Sequence, residues 1–298
     1  MQARSQHADA PEYKIDSVPF ASGSYGSVYH ATDPKGKPCV VKKVLDMNNY
    51  GTLLRILREI YILRLMRCHP HIVELKDIMP THQTNDNLDT LNLVFGKMDS
   101  DLYRVLSKPQ VFSDLHIQTI LFGILAGVSY LHSAGVVHRD LKPANILINT
   151  ADCHVRVCDL NLAKLLFWST PCAENTKLKK NGITGSVLPR RLVLSRERTQ
   201  HVTTRWYRAP EVILRGQKKY DFQVDVWAIG CILAELLMMQ ANPLSHKVLF
   251  EGDFCNPFSP RPLQNEPRDQ LDVIFDILGT PTSEDIESIK PANAATEE

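Results

Sequence analysis

His138-Arg139-Asp140-Leu141-Lys142-Pro143-Ala144-Asn145 is the stretch on which the reading of this chain turns, and it stands between two regions of opposite character. Upstream, Tyr13 to Val44 reads as strands. Short β-rich runs, Ser27-Val28-Tyr29 and Pro38-Cys39-Val40-Val41, are separated by Gly23, Gly26 and the turn Asp33-Pro34-Lys35-Gly36. From Leu53 to Met66 the period becomes helical, with Leu53, Leu54, Leu57, Ile60 and Tyr61 on one face. Strand patterns return at Ile72-Leu75 and Leu91-Phe95, and the polar run Thr81 to Asp89 reads as a hairpin connection. Nearer the octet the chain turns helical. Ser113-Asp114 can cap a helix whose apolar positions Ile117, Ile120, Leu121, Ile124, Leu125, Val128 and Leu131 follow the 3.6 period, with Gly135 as its stop. Further helices are expected over Val224–Met239 and Asp269–Leu278. A small strand-rich half thus precedes a larger helical half, with a hinge near Phe95 to Asp99, which is an α+β, two-lobed order.

Bulk composition excludes some classes and names none. A formal net charge of +1 over 298 residues gives no global field for nucleic acid or an anionic membrane. Hydrophobic residues at 44% suit a soluble globular chain. No run of 18 or more apolar residues is present, and the polar stretch Met1 to Pro11 lacks the apolar core of a secretion signal. Seven cysteines without paired spacing do not form a disulfide framework or a zinc site, so a reducing compartment, cytosol or nucleus, is expected.

Ala21-Ser22-Gly23-Ser24-Tyr25-Gly26-Ser27-Val28 follows G-x-G-x-x-G-x-V with alanine at the first glycine. Glycines let backbone N–H groups approach phosphates closely. An ordinary glycine-containing hairpin explains the same residues equally well, and the octet decides between the two. His138 to Asn145 resembles the H-R-D-x-x-x-x-N catalytic loop of eukaryotic protein kinases, in the form with lysine after Asp-Leu that marks Ser/Thr kinases. The resemblance implies a two-lobed protein kinase fold with a small β-rich N-lobe at residues 13–95 and a larger helical C-lobe at 96–298, after an N-terminal tail, 1–12. It implies ATP and Mg²⁺ as cofactors. Asp140 would orient the substrate hydroxyl and accept its proton, Lys142 would neutralise charge on the transferred phosphoryl group, and His138 would support the loop. Asn145 and Asp159 would hold the metal. Lys42 ends Cys39-Val40-Val41-Lys42, where a kinase carries V-A-I-K, and Glu59 would fix it against the α/β-phosphates. The implied ATP site is Phe20, Ala21, Ser22, Gly23, Ser24, Tyr25, Gly26, Val28 and Lys42, with Phe95 as gatekeeper and Met98 in the hinge Gly96-Lys97-Met98. Val157-Cys158-Asp159-Leu160-Asn161 stands where kinases carry D-F-G. Asn161 is the departure, and its tolerance of unusual backbone angles is expected to preserve the turn.

Thr199 to Glu211, T-Q-H-V-T-T-R-W-Y-R-A-P-E, narrows the resemblance to the MAP kinase family of the CMGC group. It departs from that family's activation segment at His201 and Thr203. Arg205 replaces the leucine usual in cyclin-dependent kinases and implies Ser/Thr-Pro protein substrates. Thr199 is the implied phosphoacceptor for an upstream activating kinase, with Arg58, Arg139 and Lys164 gathering its phosphate. His201, in place of the second acceptor tyrosine, argues against dual activation. The resemblance runs from Tyr13 to Ile289 and implies a monomer with no nucleic-acid or membrane partner. In the family, further helices follow the position of Glu298 and supply an arginine for Glu211; an incomplete C-lobe, a fragment and a buried, costly Glu211 are expected. The insert 165–198 is basic, with seven Lys/Arg against two acidic residues between Phe167 and Arg198, and reads as a solvated loop or as a docking or nuclear-import patch. Asp253 to Arg268, rich in proline, reads as a surface loop. Two alternatives to an active MAP-kinase-type enzyme are a pseudokinase acting as a nucleotide-binding scaffold, favoured by Ala21, Asn161 and His201, and a cyclin-dependent-kinase-like enzyme.

Overall fold

The computed structural model describes residues 12–23, 26–45, 47, 49–83, 87–166, 205–215, 221–255 and 267–284. Strands β1 (Lys14–Ile15), β2 (Ala21–Gly23), β3 (Gly26–Thr32), β4 (Pro38–Val44), β5 (Leu75–Gln83) and β6 (Asn87–Gly96) form one antiparallel sheet in the order β1-β3-β4-β6-β5, with β2 paired to β3. The Asp33 turn closes β3 onto β4: Asp33 Oδ1 accepts from Lys35 N at 2.9 Å and Lys37 N at 2.8 Å, and Gly36 takes the left-handed φ of 80° that the tight turn requires. Helix α1 (Tyr50–Leu65) crosses between β4 and β5, and Asn49 caps it by accepting from Thr52 N.

Three sequence expectations change here. The polar run from Thr81 is partly strand, since β5 continues to Gln83 and β6 begins at Asn87. Ladder bonds join backbone groups, so a polar hairpin pairs as well as an apolar one. Ile72 and Val73 do not join the sheet. They bind the helical half instead, with Val73 N donating to Val157 O and Val157 N to His71 O, both at 2.9 Å. In α1 the residues turned to the core are Ile56, Glu59, Ile62 and Leu63, whereas Leu57 and Tyr61 of the expected apolar face are exposed.

After β7 (Ser100–Asp101) and the short α2 (Leu102–Leu106), helix α3 (Asp114–Ser133) begins at a reciprocal cap between Ser113 and His116 and ends before Gly135 at φ 72°. It buries Ile117, Ile120, Ile124, Val128 and Leu131, as the 3.6 period predicts, while Leu125 of that expected set is exposed. A Cβ at Gly127 would lie 2.6 Å from His71 O, so glycine is what lets this helix approach the segment joining the lobes. The antiparallel pair β8 (Val136–Val137) with β11 (Lys164–Leu165) and the hairpin β9 (Ile146–Ile148) with β10 (Val155–Val157) frame the octet. Helices α4 (Pro210–Arg215), α5 (Gln223–Ala241) and α6 (Gln270–Leu278) complete the helical half. Asp269 caps α6, and α5 buries Val224, Ala228, Ile232 and Leu236 at four-residue spacing. Ser24, Tyr25, the basic insert from 167, Thr199, His201, Thr203 and most of the proline-rich loop lie outside the described residues.

Candidate active site

The site lies where the two halves meet. β4 carries Lys42 in register with Val28 on β3 and Leu93 on β6, and α1 turns Glu59 toward it. Lys42 Nζ lies 2.9 and 3.1 Å from the two Glu59 carboxylate oxygens and 3.4 Å from Asp159 Oδ1. Burial alone would push the Lys42 ammonium down; Glu59 and Asp159 outweigh it and hold this ammonium above its ordinary range. The lysine is therefore a fixed cation at the back of the cleft.

Above it, β2 and β3 make the glycine hairpin. Ala21 pairs with Val28 as an ordinary strand residue, so its Cβ does not disturb the turn. Gly26 is different. Its φ is 141°, and a Cβ there would sit 2.0 Å from Lys43 O. Phe20 stacks on His30 with ring centroids 4.1 Å apart and lies under the Arg104 guanidinium, 5.9 Å away, so the hairpin's base touches α2 of the opposite half. Phe95 is buried at the end of β6, and Met98 is half-buried just beyond Gly96.

Below, the octet is folded around Asp140. Lys142 Nζ lies 2.8 Å from Asp140 Oδ2, and Asn145 Nδ2 donates to Asp140 O at 2.7 Å and to Oδ2 at 3.1 Å. Cys158 N donates to Asn145 O at 3.0 Å, which seats Asp159 next to Asn145. The imidazole of His138 reaches Cys158 O at 2.9 Å through Nε2. Asp159 adopts a left-handed backbone, φ 63° and ψ 67°, ahead of the turn Leu160–Leu162. The unusual conformation therefore sits on Asp159, and Asn161, expected to need it, does not show a positive φ. Its side chain is instead 2% exposed with Oδ1 lacking a hydrogen-bond partner. Cys158 is half-buried, and burial pushes its thiol up.

Sequence reasoning missed the residue that organises the loop. Asp225 on α5 is 1% exposed and accepts from His138 N and Arg139 N, each at 2.8 Å, while His132 Nε2 lies 2.8 Å from its Oδ2. These bonds hold Arg139 at φ 72°. The signal available was Asp225 opening a strongly apolar helix, where a charge is rarely buried unless paired.

Arg58, Arg139 and Lys164 come together in part. Burial first, then Arg139 and Arg55, push the Arg58 guanidinium down, so Arg58 and Arg139 feel each other's charge. Lys164 is exposed and pairs across the β8–β11 ladder with Val137, two residues before Arg139. Arg205 donates through Nη1 to Gly252 O at 3.3 Å and to Asp253 O, and Trp206 Nε1 donates to Gly252 O at 3.1 Å, which ties this turn to the segment after α5. Glu211 is half-buried and not enclosed as expected, because it lies in the first turn of α4, so the full desolvation cost does not arise.

Comparison with known proteins agrees with this arrangement. The chain is 37% identical over 292 residues to mitogen-activated protein kinase 15 of Oryza sativa subsp. japonica, covering 97% of this chain and 50% of the relative. It is 37% identical over 292 residues to mitogen-activated protein kinase 17 of the same rice, covering 97% and 42% respectively. Against mitogen-activated protein kinase 16 of Arabidopsis thaliana the identity is 36% over 292 residues, covering 97% and 44%. The chain thus spans about half the length of the curated relatives it matches. The protein kinase domain matches residues 19–254, from the glycine hairpin to the carbonyls gripped by Arg205, and on that extent the chain belongs to the protein kinase domain family.

Proposed function

We propose that this chain is a protein serine/threonine kinase of MAP-kinase type, transferring the γ-phosphoryl group of ATP to Ser/Thr-Pro sites of proteins. The observation that carries the reading is the closed Lys42–Glu59 pair, with Asp159 in reach of the same ammonium, beside an Asp140 carboxylate held by Lys142 and Asn145. A substrate hydroxyl placed at Asp140 gives its proton to that carboxylate as its oxygen bonds to the γ-phosphorus and the bond to ADP breaks. Lys142, already 2.8 Å from Asp140, offsets charge on the phosphoryl oxygens. Lys42 positions the α/β-phosphates.

The protein kinase domain implies ATP and Mg²⁺ in general, and the residues present fit the ion. Asp159 offers carboxylate oxygens, and Asn145 spends its Nδ2 on Asp140, so its Oδ1 is the atom that would serve as a ligand. Hard oxygen donors of this kind suit Mg²⁺. When bound, the ion would neutralise phosphate charge.

Arg205 supports proline-directed substrates, since its guanidinium fixes backbone carbonyls beside the segment that would receive the peptide. Arg58, Arg139 and Lys164 support capture of a phosphate on Thr199 delivered by an upstream kinase. No disulfide joins the six described cysteines, in keeping with action in cytosol or nucleus.

The test is phosphate incorporation into a Ser-Pro peptide with Mg-ATP. The wild-type protein labels the peptide, and Asp140→Asn lowers the rate by about 10²- to 10⁴-fold with nucleotide affinity retained. Equal labelling by the two proteins would reject the enzyme and leave a nucleotide-binding scaffold.

A further inference from the structure

Between α1 and β5 the chain crosses to the helical half as His69-Pro70-His71, and a third histidine, His154 in the β9–β10 turn, meets it there. The ring centroids of His71 and His154 lie 4.9 Å apart and those of His69 and His71 6.0 Å apart, while His69 stacks on Tyr130 of α3 at 4.3 Å and 13°. Glycine makes the room for His71. A Cβ at Gly123 would sit 2.9 Å from its Nδ1, and one at Gly127 2.6 Å from its carbonyl oxygen. His71 also carries a tie to the site, because its carbonyl accepts from Val157 N, two residues before Asp159.

The hydrogen bonds fix which ring nitrogens hold protons. Val155 O and Pro70 O can only accept, so His71 Nδ1, at 2.9 Å, and His154 Nε2, at 3.1 Å, carry hydrogen. His69 is the reverse case. Its Nδ1 lies 3.2 Å from His71 N and accepts that backbone N–H, so its own proton sits on Nε2. A second proton can enter only at Nδ1, where it sets one N–H against another. We propose that this joint is a proton-sensitive clasp: protonation of His69 breaks its bond to His71 N and loosens the ties that join His71 and Val73 to Val157, and with them the seat of Asp159.

The surroundings supply little to offset a charge on His69. Helix α3 presents no charged side chain from Phe122 to Tyr130. On the β9–β10 turn, exposed Asp152 accepts from His154 N at 2.9 Å beside Cys153, and Arg156 is turned away toward Gly96. On the segment itself Arg67, Cys68 and Glu74 are exposed. Burial, and then His71, push the His69 imidazolium below its ordinary range. The folded joint therefore holds fewer protons than the unfolded chain, so this contribution to stability is present above about pH 6.5 and is lost as the pH falls below it. The clasp does not depend on phosphotransfer, and its failure would leave the kinase reading standing.

The experiment is amide hydrogen exchange of the full chain at about pH 7.5 and about pH 5.5, read as protection factors so that the intrinsic pH dependence cancels. His69→Asn is the comparison, since an asparagine side-chain oxygen accepts from the N–H two residues on and does not titrate. From the higher to the lower pH the wild type loses about threefold or more protection at His71, Val73 and Val157 beyond the loss in His69→Asn, and a single proton limits that difference to about tenfold. Equal losses in the two proteins would overturn the clasp. So would wild-type protection at those amides that stays unchanged between the two pH values, a result that decides the matter alone if His69→Asn does not fold.

Discussion

Replacing Asp225 by asparagine should damage the catalytic loop without touching any residue that meets substrate. The carboxylate is 1% exposed and presents one oxygen to Arg139 N and the other to both His138 N and His132 Nε2, all at 2.8 Å. An amide keeps only one oxygen. With that oxygen toward His138, the Arg139 N–H faces an NH₂ group; flipped, His138 N–H and His132 lose their acceptor. The smaller loss is one charge-assisted bond plus one unsatisfied N–H, together about 3 to 5 kcal/mol. Arg139 also sits at φ 72°, a left-handed conformation costing about 1–2 kcal/mol that these bonds hold in place. At a few degrees per kcal/mol for a domain of this size, thermal unfolding should move down by roughly 10 °C. Asp99→Asn is the control, since exposed Asp99 accepts from Thr150 N at 3.0 Å in water; its melting point should hardly move. Differential scanning fluorimetry of the three proteins reads the outcome. A shift for Asp225→Asn as small as that of the control would refute the reasoning, because it would mean that the loop does not depend on this buried acceptor.

Three further outcomes follow from the same geometry. Gly26→Ala forces a Cβ to 2.0 Å from Lys43 O at a φ of 141°, so nucleotide affinity measured by calorimetry should fall by at least about tenfold, and an unchanged affinity would show that the hairpin does not cover the phosphates. Asn161→Gly removes an amide whose Oδ1 is buried without a partner; losing that desolvation cost of about 1–3 kcal/mol against a glycine entropy cost of about 0.5–1 kcal/mol should leave the melting temperature the same or higher with ATP affinity retained, and a large loss of either would reveal a contact made by Asn161. Burial raises the Glu235 carboxyl above its ordinary value even with His246 Nε2 at 2.8 Å, so the folded state keeps this proton where the unfolded state has released it. Wild-type stability relative to Glu235→Gln should therefore fall as pH rises from about 4.5 upward through the folded pKa; a melting difference that is flat across that range, or that rises, contradicts the assignment.

The proposed chemistry was legible in the sequence through the resemblance: Asp140, Lys142 and Asn145 fall within one short loop at the positions for which a kinase catalytic loop implies their roles, and local chain geometry brings them together. The 3.6 period of α3 and the caps at Ser113 and Asp269 were legible for the same reason, because helix faces and caps are set by near neighbours. Tertiary structure decided what depends on residues distant in sequence. Asp225 reads as one acid at the head of an apolar helix, and only folding sets it against a loop 86 residues away. Asn161 stands at the position that resemblance associates with backbone freedom, yet the left-handed conformation fell on Asp159 and left Asn161 buried with its Oδ1 unpartnered. In α1 the periodicity picked out the face of Leu53, Leu54, Leu57, Ile60 and Tyr61, whereas folding turned Ile56, Glu59, Ile62 and Leu63 to the core. Burial of Glu59 against Lys42 settled it, since a carboxylate enters a core only where a cation receives it.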